Sequence, residues 1–296
     1  MIKKTLVLFF ILFGAYTIMV SYIADPDRYI SEHQWQDNQI KTQKYLFTNT
    51  DSIDAIIAGS SLSERLHMNM LPRFYNLGLL GLGPIDGLSA IQAKGRYPKY
   101  IFIEINHIDR PLNYELKNSI ENPVMMPLRK QFISLRDGKQ PMGFIAIPYG
   151  QKATAYGVYL LQTALSKMYP SEMHSEPNQS NMLDKMVAKS IEYHNQIPKN
   201  LKSEIQVLKQ YIADMSEHGS TIIFFEMPVH PQLYNLARSQ AVREAIYKIF
   251  SGNNYLYIDC PHNNDYTTTD GEHLDFISAQ KYTEYFVDQI NKLRLN

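Results

Sequence analysis

The chain has 296 residues, 45% of them hydrophobic and 20% charged, which is enough apolar material for one sizeable core and too much for a disordered polymer. Lys plus Arg and Asp plus Glu each total 29, so the formal charge is zero and the basic excess of a nucleic-acid binder is missing. The single cysteine, Cys260, excludes an internal disulfide or a multi-cysteine zinc site, and such a chain suits an oxidising compartment.

At the N-terminus Lys3 and Lys4 precede Thr5 to Ala24, a run without charge. At helical rise it spans about 30 Å, the thickness of a bilayer's hydrocarbon core. Asp25, Asp27 and Arg28 end it. Basic residues ahead of the run predict that its start stays cytoplasmic and that the rest of the chain crosses. A cleaved signal peptide is the competing reading. It requires small residues before the cut, and cleavage after Ala24 would leave bulky Tyr22 at −3. Residues 1–24 therefore read as an uncleaved anchor. Residues 25–50, polar and mixed, read as a stalk containing one helical stretch.

From residue 53 the pattern changes. Short apolar runs at Ile53–Ala58, Phe74–Leu77, Tyr100–Ile105, Thr221–Glu226 and Tyr255–Ile258 lack clean alternation, as strands buried on both faces do. Helical periodicity falls between them, near 84–96, 198–218, 232–250 and 277–294. Strand–helix alternation predicts an α/β fold with an open, doubly wound parallel sheet over residues 51–296. Residues 110–197, with Pro111, Pro123, Pro127, Pro141, Pro148 and Pro170 among them, break the rhythm. They read as a largely helical insertion after the third strand, with helix-like segments near 150–168 and 181–196. Ligands of such sheets bind at the carboxyl ends of strands, so an insertion leaving from there would border the site.

Three blocks carry chemistry. In Ala58-Gly59-Ser60-Ser61-Leu62-Ser63 a serine follows a buried strand and a glycine turn, at the start of a helix whose N–H groups can stabilise an oxyanion. A plain turn with serine as N-cap is the bland alternative. In Thr269-Asp270-Gly271-Glu272-His273-Leu274 a histidine and a carboxylate three residues apart can supply a base and its orienting partner. Asp259, Asp265 and Asp275 are fallback partners, and Asp270 as a helix cap is the bland reading. In Ile103-Glu104-Ile105-Asn106-His107 a strand-end asparagine can donate to an oxyanion, or simply close a turn. Between the first and third blocks, Tyr75-Asn76-Leu77-Gly78 and the following Gly81 offer unobstructed backbone amides.

In this order the blocks resemble the SGNH/GDSL hydrolase superfamily over residues 53–294, outside the insertion. Gly59-Ser60-Ser61 stands where Gly-Asp-Ser is usual, and the third block lacks the common Gly-x-Asn-Asp form. The resemblance implies a flavodoxin-like three-layer sandwich and a Ser61–His273–Asp270 triad. It also implies an oxyanion hole from the Ser61 and Gly78 amides and the Asn106 side chain. Ser60 is the rival nucleophile and Gly81 the rival amide. The anchor and the Gly-Ser-Ser start are closer to the envelope branches that serve teichoic-acid D-alanylation and alginate O-acetylation.

The remaining candidates read as structural. His107 and His230 fall near strand ends, Glu226 ends a strand, and Cys260 precedes Pro261 without a defined base. Neither a metal-ligand spacing nor a phosphate-cradling motif occurs, so no metal and no cofactor is expected. The expected function is an extracytoplasmic, membrane-anchored serine acyl-esterase or O-acyltransferase. Its substrate would be a cell-envelope glycan or a lipid-linked acyl ester, with an integral-membrane acyltransferase as a further partner. The alternative is a non-catalytic accessory protein that binds the glycan or that partner.

Overall fold

A computed structural model describes residues 2–23, 34–139, 179–252 and 254–294. The chain divides into two compact units, Met1–Phe47 with Ser119–Glu176 and Thr48–Asn118 with Pro177–Asn296. The helix-like segment near 150–168 and the end of the anchor at Ala24 lie outside the described residues.

In the first unit Ile2–Ile18 is an α-helix that continues as a π-helical turn over Met19–Ile23. The stretch Ile2–Tyr22 is long and apolar enough to cross a membrane. Leu6, Phe9, Phe10, Ile11 and Leu12 stand exposed along it, a surface that water disfavours. Gln34–Phe47, inside the expected stalk, is a helix whose buried side chains are mostly polar. Two of them, Gln39 and Gln43, bond to residues far along the chain. Gln43 donates through Nε2 to Asp137 Oδ2 at 2.5 Å, and its Oε1 accepts from the Asp137 N–H at 2.9 Å. Gln39 Oε1 accepts from the Ser119 hydroxyl at 3.0 Å. Residues 119–139, inside the expected insertion, thus hydrogen-bond to this helix, while Gln39 Nε2, Thr42 Oγ1 and Arg129 Nε are buried without a hydrogen-bond partner among the described residues.

The second unit holds five strands: β1 (Ala55–Gly59), β2 (Phe74–Gly78), β3 (Tyr100–Glu104), β4 (Thr221–Phe225) and β5 (Tyr255–Ile258). They form one all-parallel sheet in the order β2-β1-β3-β4-β5. Side chains alternate between two covered faces. Ile57, Phe102, Ile223 and Phe225 share one core with Tyr282 and Phe286 of the last helix, Phe276–Lys292. The Phe286 ring lies 5.4 Å from that of Phe102 and 5.0 Å from that of Phe225, and truncating it to alanine would cost about 3–5 kcal/mol. Helices Pro84–Lys94 and Leu201–Glu217 pack against the sheet and each other. Gly87 permits that approach, because a Cβ there would meet Ala58 Cβ at 3.1 Å. The result is a three-layer α/β unit.

The helix expected at 232–250 is two helices, Pro231–Tyr234 and Ala237–Ile249. Polar side chains make the break favourable. The Ser239 hydroxyl donates to the Leu233 carbonyl at 3.1 Å, and Arg243 Nη2 donates to the Tyr234 carbonyl, so the carbonyls at the end of the first helix keep partners. The helical segment expected at 181–196 is present as Gln179–His194.

Strand order reverses between β1 and β3. In a doubly wound sheet such a switch point leaves a crevice at the strands' carboxyl ends. Ser61 follows β1 there, and Asn106 and His107 follow β3.

Candidate active site

The β1 exit is built around a buried carboxylate. Gly59 ends the strand, Ser60 is extended, and a four-residue helix starts at Ser61. Ser60 caps that helix, its Oγ accepting from the Leu62 N–H at 3.1 Å. Glu104, fully buried at the end of β3, then gathers three donors. Its Oε2 accepts from the N–H groups of Ser60 at 2.8 Å and Ser63 at 3.1 Å, and its Oε1 accepts from the Ser60 hydroxyl at 2.6 Å. The Glu64 N–H goes to the Ser60 carbonyl. Of the N–H groups of this turn, the Ser61 N–H is the one left without an acceptor among the described residues.

The second component is the tight loop before the last helix. Thr268 and Leu274 form an antiparallel bridge, and the Thr269 N–H donates to the His273 carbonyl at 2.8 Å. Gly271 closes the loop at φ +99°, a conformation that favours glycine. Asp275, not Asp270, caps the last helix, accepting from the Ser278 N–H at 2.7 Å. Asp270 is thereby available to His273. Its Oδ2 accepts from Nδ1 at 2.7 Å, while Oδ1 accepts from the His273 and Glu272 N–H groups at 2.8 and 3.0 Å. Partial burial pushes this carboxyl upward, but the bonds from His273 and Glu272 outweigh it and hold Asp270 below its ordinary value.

His273 Nε2 lies 2.8 Å from Ser61 Oγ. With Nδ1–H donated to Asp270, Nε2 presents its lone pair and the serine hydroxyl donates to it. The unit thus brings Ser61, His273 and Asp270 into one hydrogen-bonded line. Ser60, the alternative nucleophile, is fully buried and bonded to Glu104. Asp259, Asp265 and Asp275 make no contact with the His273 ring.

The other expected oxyanion donors are differently engaged. The Gly78 N–H donates to Asn76 Oδ1 at 2.7 Å, while Asn76 Nδ2 donates to the Ser63 carbonyl at 2.7 Å. Close packing accounts for the glycine, since a Cβ there would lie 2.7 Å from Glu64 N and 2.8 Å from Ser60 O. Asn106 clasps the segment just past β4, its Nδ2 donating to the Met227 carbonyl at 2.9 Å and its Oδ1 accepting from the Met227 N–H at 2.8 Å. One amide hydrogen of Asn106 remains beyond that clasp. Gly81 sits in a left-handed turn at φ +72°.

Leu62, Ile105, Asn106, Val229, Val242 and Glu272 line a small cavity beside this site. His230 caps the Pro231–Tyr234 helix, and its own N–H donates to the Gly271 carbonyl at 2.8 Å. Cys260 is half-buried near Glu226, and desolvation pushes its thiol far up, which suppresses the thiolate. No group of three or more His, Cys, Asp or Glu arranged to hold a metal ion occurs among the described residues.

Sequence reading missed three contributors: Glu104, Glu272 and His194. Glu104 carried a signal, a carboxylate ending an otherwise apolar strand, which is costly unless bonded. Through its bonds to Ser60 and Ser63, β3 supplies the carboxylate at the Gly59-Ser60-Ser61 turn. No protein family matches this chain, and neither the curated proteins nor the solved structures contain a match.

Proposed function

We propose that this protein is a serine acyl-ester enzyme of the SGNH/GDSL type, a hydrolase or O-acyltransferase, with Ser61 as nucleophile, His273 as general base and Asp270 as its orienting anion. One observation carries the proposal: the Asp270–His273–Ser61 line at the switch point of a β2-β1-β3-β4-β5 sheet, the strand order of flavodoxin-like folds.

In this reading Ser61 Oγ attacks an ester carbonyl as its proton passes to His273 Nε2, and Asp270 stabilises the imidazolium. In the same reading the Ser61 N–H and the spare Asn106 amide hydrogen serve as the oxyanion's donors. The Gly78 N–H can join them only by leaving Asn76. The imidazolium returns its proton to the departing alcohol. Water then releases the acid, or a sugar hydroxyl takes the acyl group.

The Ile2–Tyr22 helix and the preceding Lys3 and Lys4 support a single-pass protein with this unit on the extracytoplasmic side. That placement favours an envelope glycan or lipid-linked ester as substrate, with an integral-membrane acyltransferase as partner. The paired Gly78 amide favours a second reading, an accessory protein that binds glycan or partner without turnover. Hydrolysis of a short acyl ester separates the two. The wild type turns over and Ser61→Ala does not, whereas equal rates in both would reject the enzyme. Envelope glycans compared by mass spectrometry with and without the protein would then identify acyl group and acceptor.

A further inference from the structure

The residue between the base and its carboxylate partner faces away from the chemistry. Glu272 gives its N–H to Asp270 Oδ1, yet its carboxylate turns into the unit. There Oε1 lies 3.1 Å from His194 Nε2 and Oε2 lies 3.2 Å from His107 Nε2. His107 is buried, one residue past Asn106, and His194 is buried at the end of the Gln179–His194 helix.

The proton positions follow from the outer contacts. Arg238 Nη2 is 3.2 Å from His107 Nδ1, and a guanidinium can only donate. Nδ1 is therefore the acceptor, and His107 is a neutral ring whose Nε2–H points at Glu272. Burial, with Arg110 and Arg238 alongside, favours that neutral form, against the pull of Glu272. Arg110 Nη2 also approaches Nε2, but at 3.4 Å and from a guanidinium anchored on the Leu82 carbonyl, so the Nε2–H goes to the nearer Glu272 oxygen. Arg238 in turn donates to Asp109 Oδ1 at 2.7 Å and stacks 4.1 Å over the Tyr193 ring. Glu272 is thus tied to the β3 exit, to the Gln179–His194 helix and, through His107, to the start of the Ala237–Ile249 helix.

We propose that Glu272 is a positioning residue for the Asp270–His273 loop, with His107 and His194 as a two-point clamp that fixes where the base meets Ser61. The proposal rests on the triad reading given above. The bonds within the loop fix its own shape but do not tie it to the β1 exit, and a displacement of about 1 Å at the base can cost up to a hundredfold in rate. Both carboxylate oxygens of Glu272 are used, so glutamine can satisfy one histidine and must present an N–H to the other.

Two readouts on the full chain test this. Hydrogen–deuterium exchange of the 267–276 region should accelerate about tenfold or more in Glu272→Gln and in His194→Gln, with β1 and β3 unchanged. Labelling of Ser61 by a fluorophosphonate should slow about ten- to a hundredfold in Glu272→Gln, and in ester hydrolysis kcat should fall with KM held. The effects of Glu272→Gln and His194→Gln should be less than additive, as expected for partners in one clamp. Exchange and labelling at wild-type levels in both variants would overturn the clamp. A wild-type protein that does not label would overturn the triad reading, while exchange still decides the clamp.

Discussion

Glu104 Oε1 lies 2.6 Å from the Ser60 hydroxyl, and its second oxygen holds the Ser60 and Ser63 amides, so a side chain on β3 shapes the turn that presents Ser61. Removing it strands buried donors. Glu104→Ala should cost about 3 kcal/mol or more in urea unfolding and abolish Ser61 reactivity. Glu104→Gln should be milder, because its oxygen can keep both amides while the Ser60 hydroxyl turns to accept.

The same turn predicts intolerance at two glycines. A Cβ on Gly59 would lie 2.2 Å from Ser63 Oγ and 2.6 Å from Glu104 Oε2, and one on Gly78 would meet backbone atoms at 2.7 and 2.8 Å. Gly59→Ala and Gly78→Ala should each lower unfolding free energy by about 1–3 kcal/mol. Thermal melts of both, set against Gly95→Ala, check this. A Cβ at Gly95 meets nothing within 4 Å, so that variant reports only the cost of its left-handed φ of +66°.

Asp270→Asn should keep the fold, since an amide oxygen can still accept the two loop N–H groups. It should lower kcat by about 10³- to 10⁴-fold, because the imidazole loses the anion that fixes its tautomer. The depressed Asp270 carboxyl also gives a pH signature. Its stabilisation is present above the unfolded carboxylate value of about 3.9 and is lost as pH falls through the lower folded value. The stability gap between wild type and Asp270→Asn should therefore narrow only below about pH 4.

Glu226 titrates in the opposite sense. Burial pushes its carboxyl up to about 7, and the Arg243 guanidinium 3.0 Å away offsets that only in part. A raised acid destabilises the fold as pH rises from the unfolded value of about 4.3 to the folded one, with the full cost above it. The loss across that interval is on the order of 3 kcal/mol. Glu226→Gln should flatten this slope, so its melting temperature should exceed the wild type's at pH 8 and match or trail it at pH 5. Parallel slopes for the two proteins would contradict the assignment.

Much of this unit was legible in the sequence because both faces of its sheet are buried. Ile56–Ala58, Ile101–Ile103 and Ile222–Phe225 read as strands because covering on both sides leaves no polar alternation. Ser61, Asp270 and His273 were legible because two short blocks hold them. What escaped was side-chain pairing at long range. Glu104 meets Ser60 across 44 positions, Glu272 meets His194 across 78, and Arg238 meets Asp109 across 129. No local pattern records such pairs, since each residue alone reads as an ordinary polar one. The partners of the Gly78 and Asn106 amides escaped for the same reason: a motif names a donor, but only the fold shows what already accepts from it.

The proposed chemistry turns on activation of Ser61 by His273. Intact-mass and peptide mapping of the full chain after fluorophosphonate treatment tests it most directly. One adduct should form, on Ser61, and it should be lost in His273→Ala even though Ser61 is still present. An adduct on another residue, or equal labelling of Ser61 without His273, would contradict it.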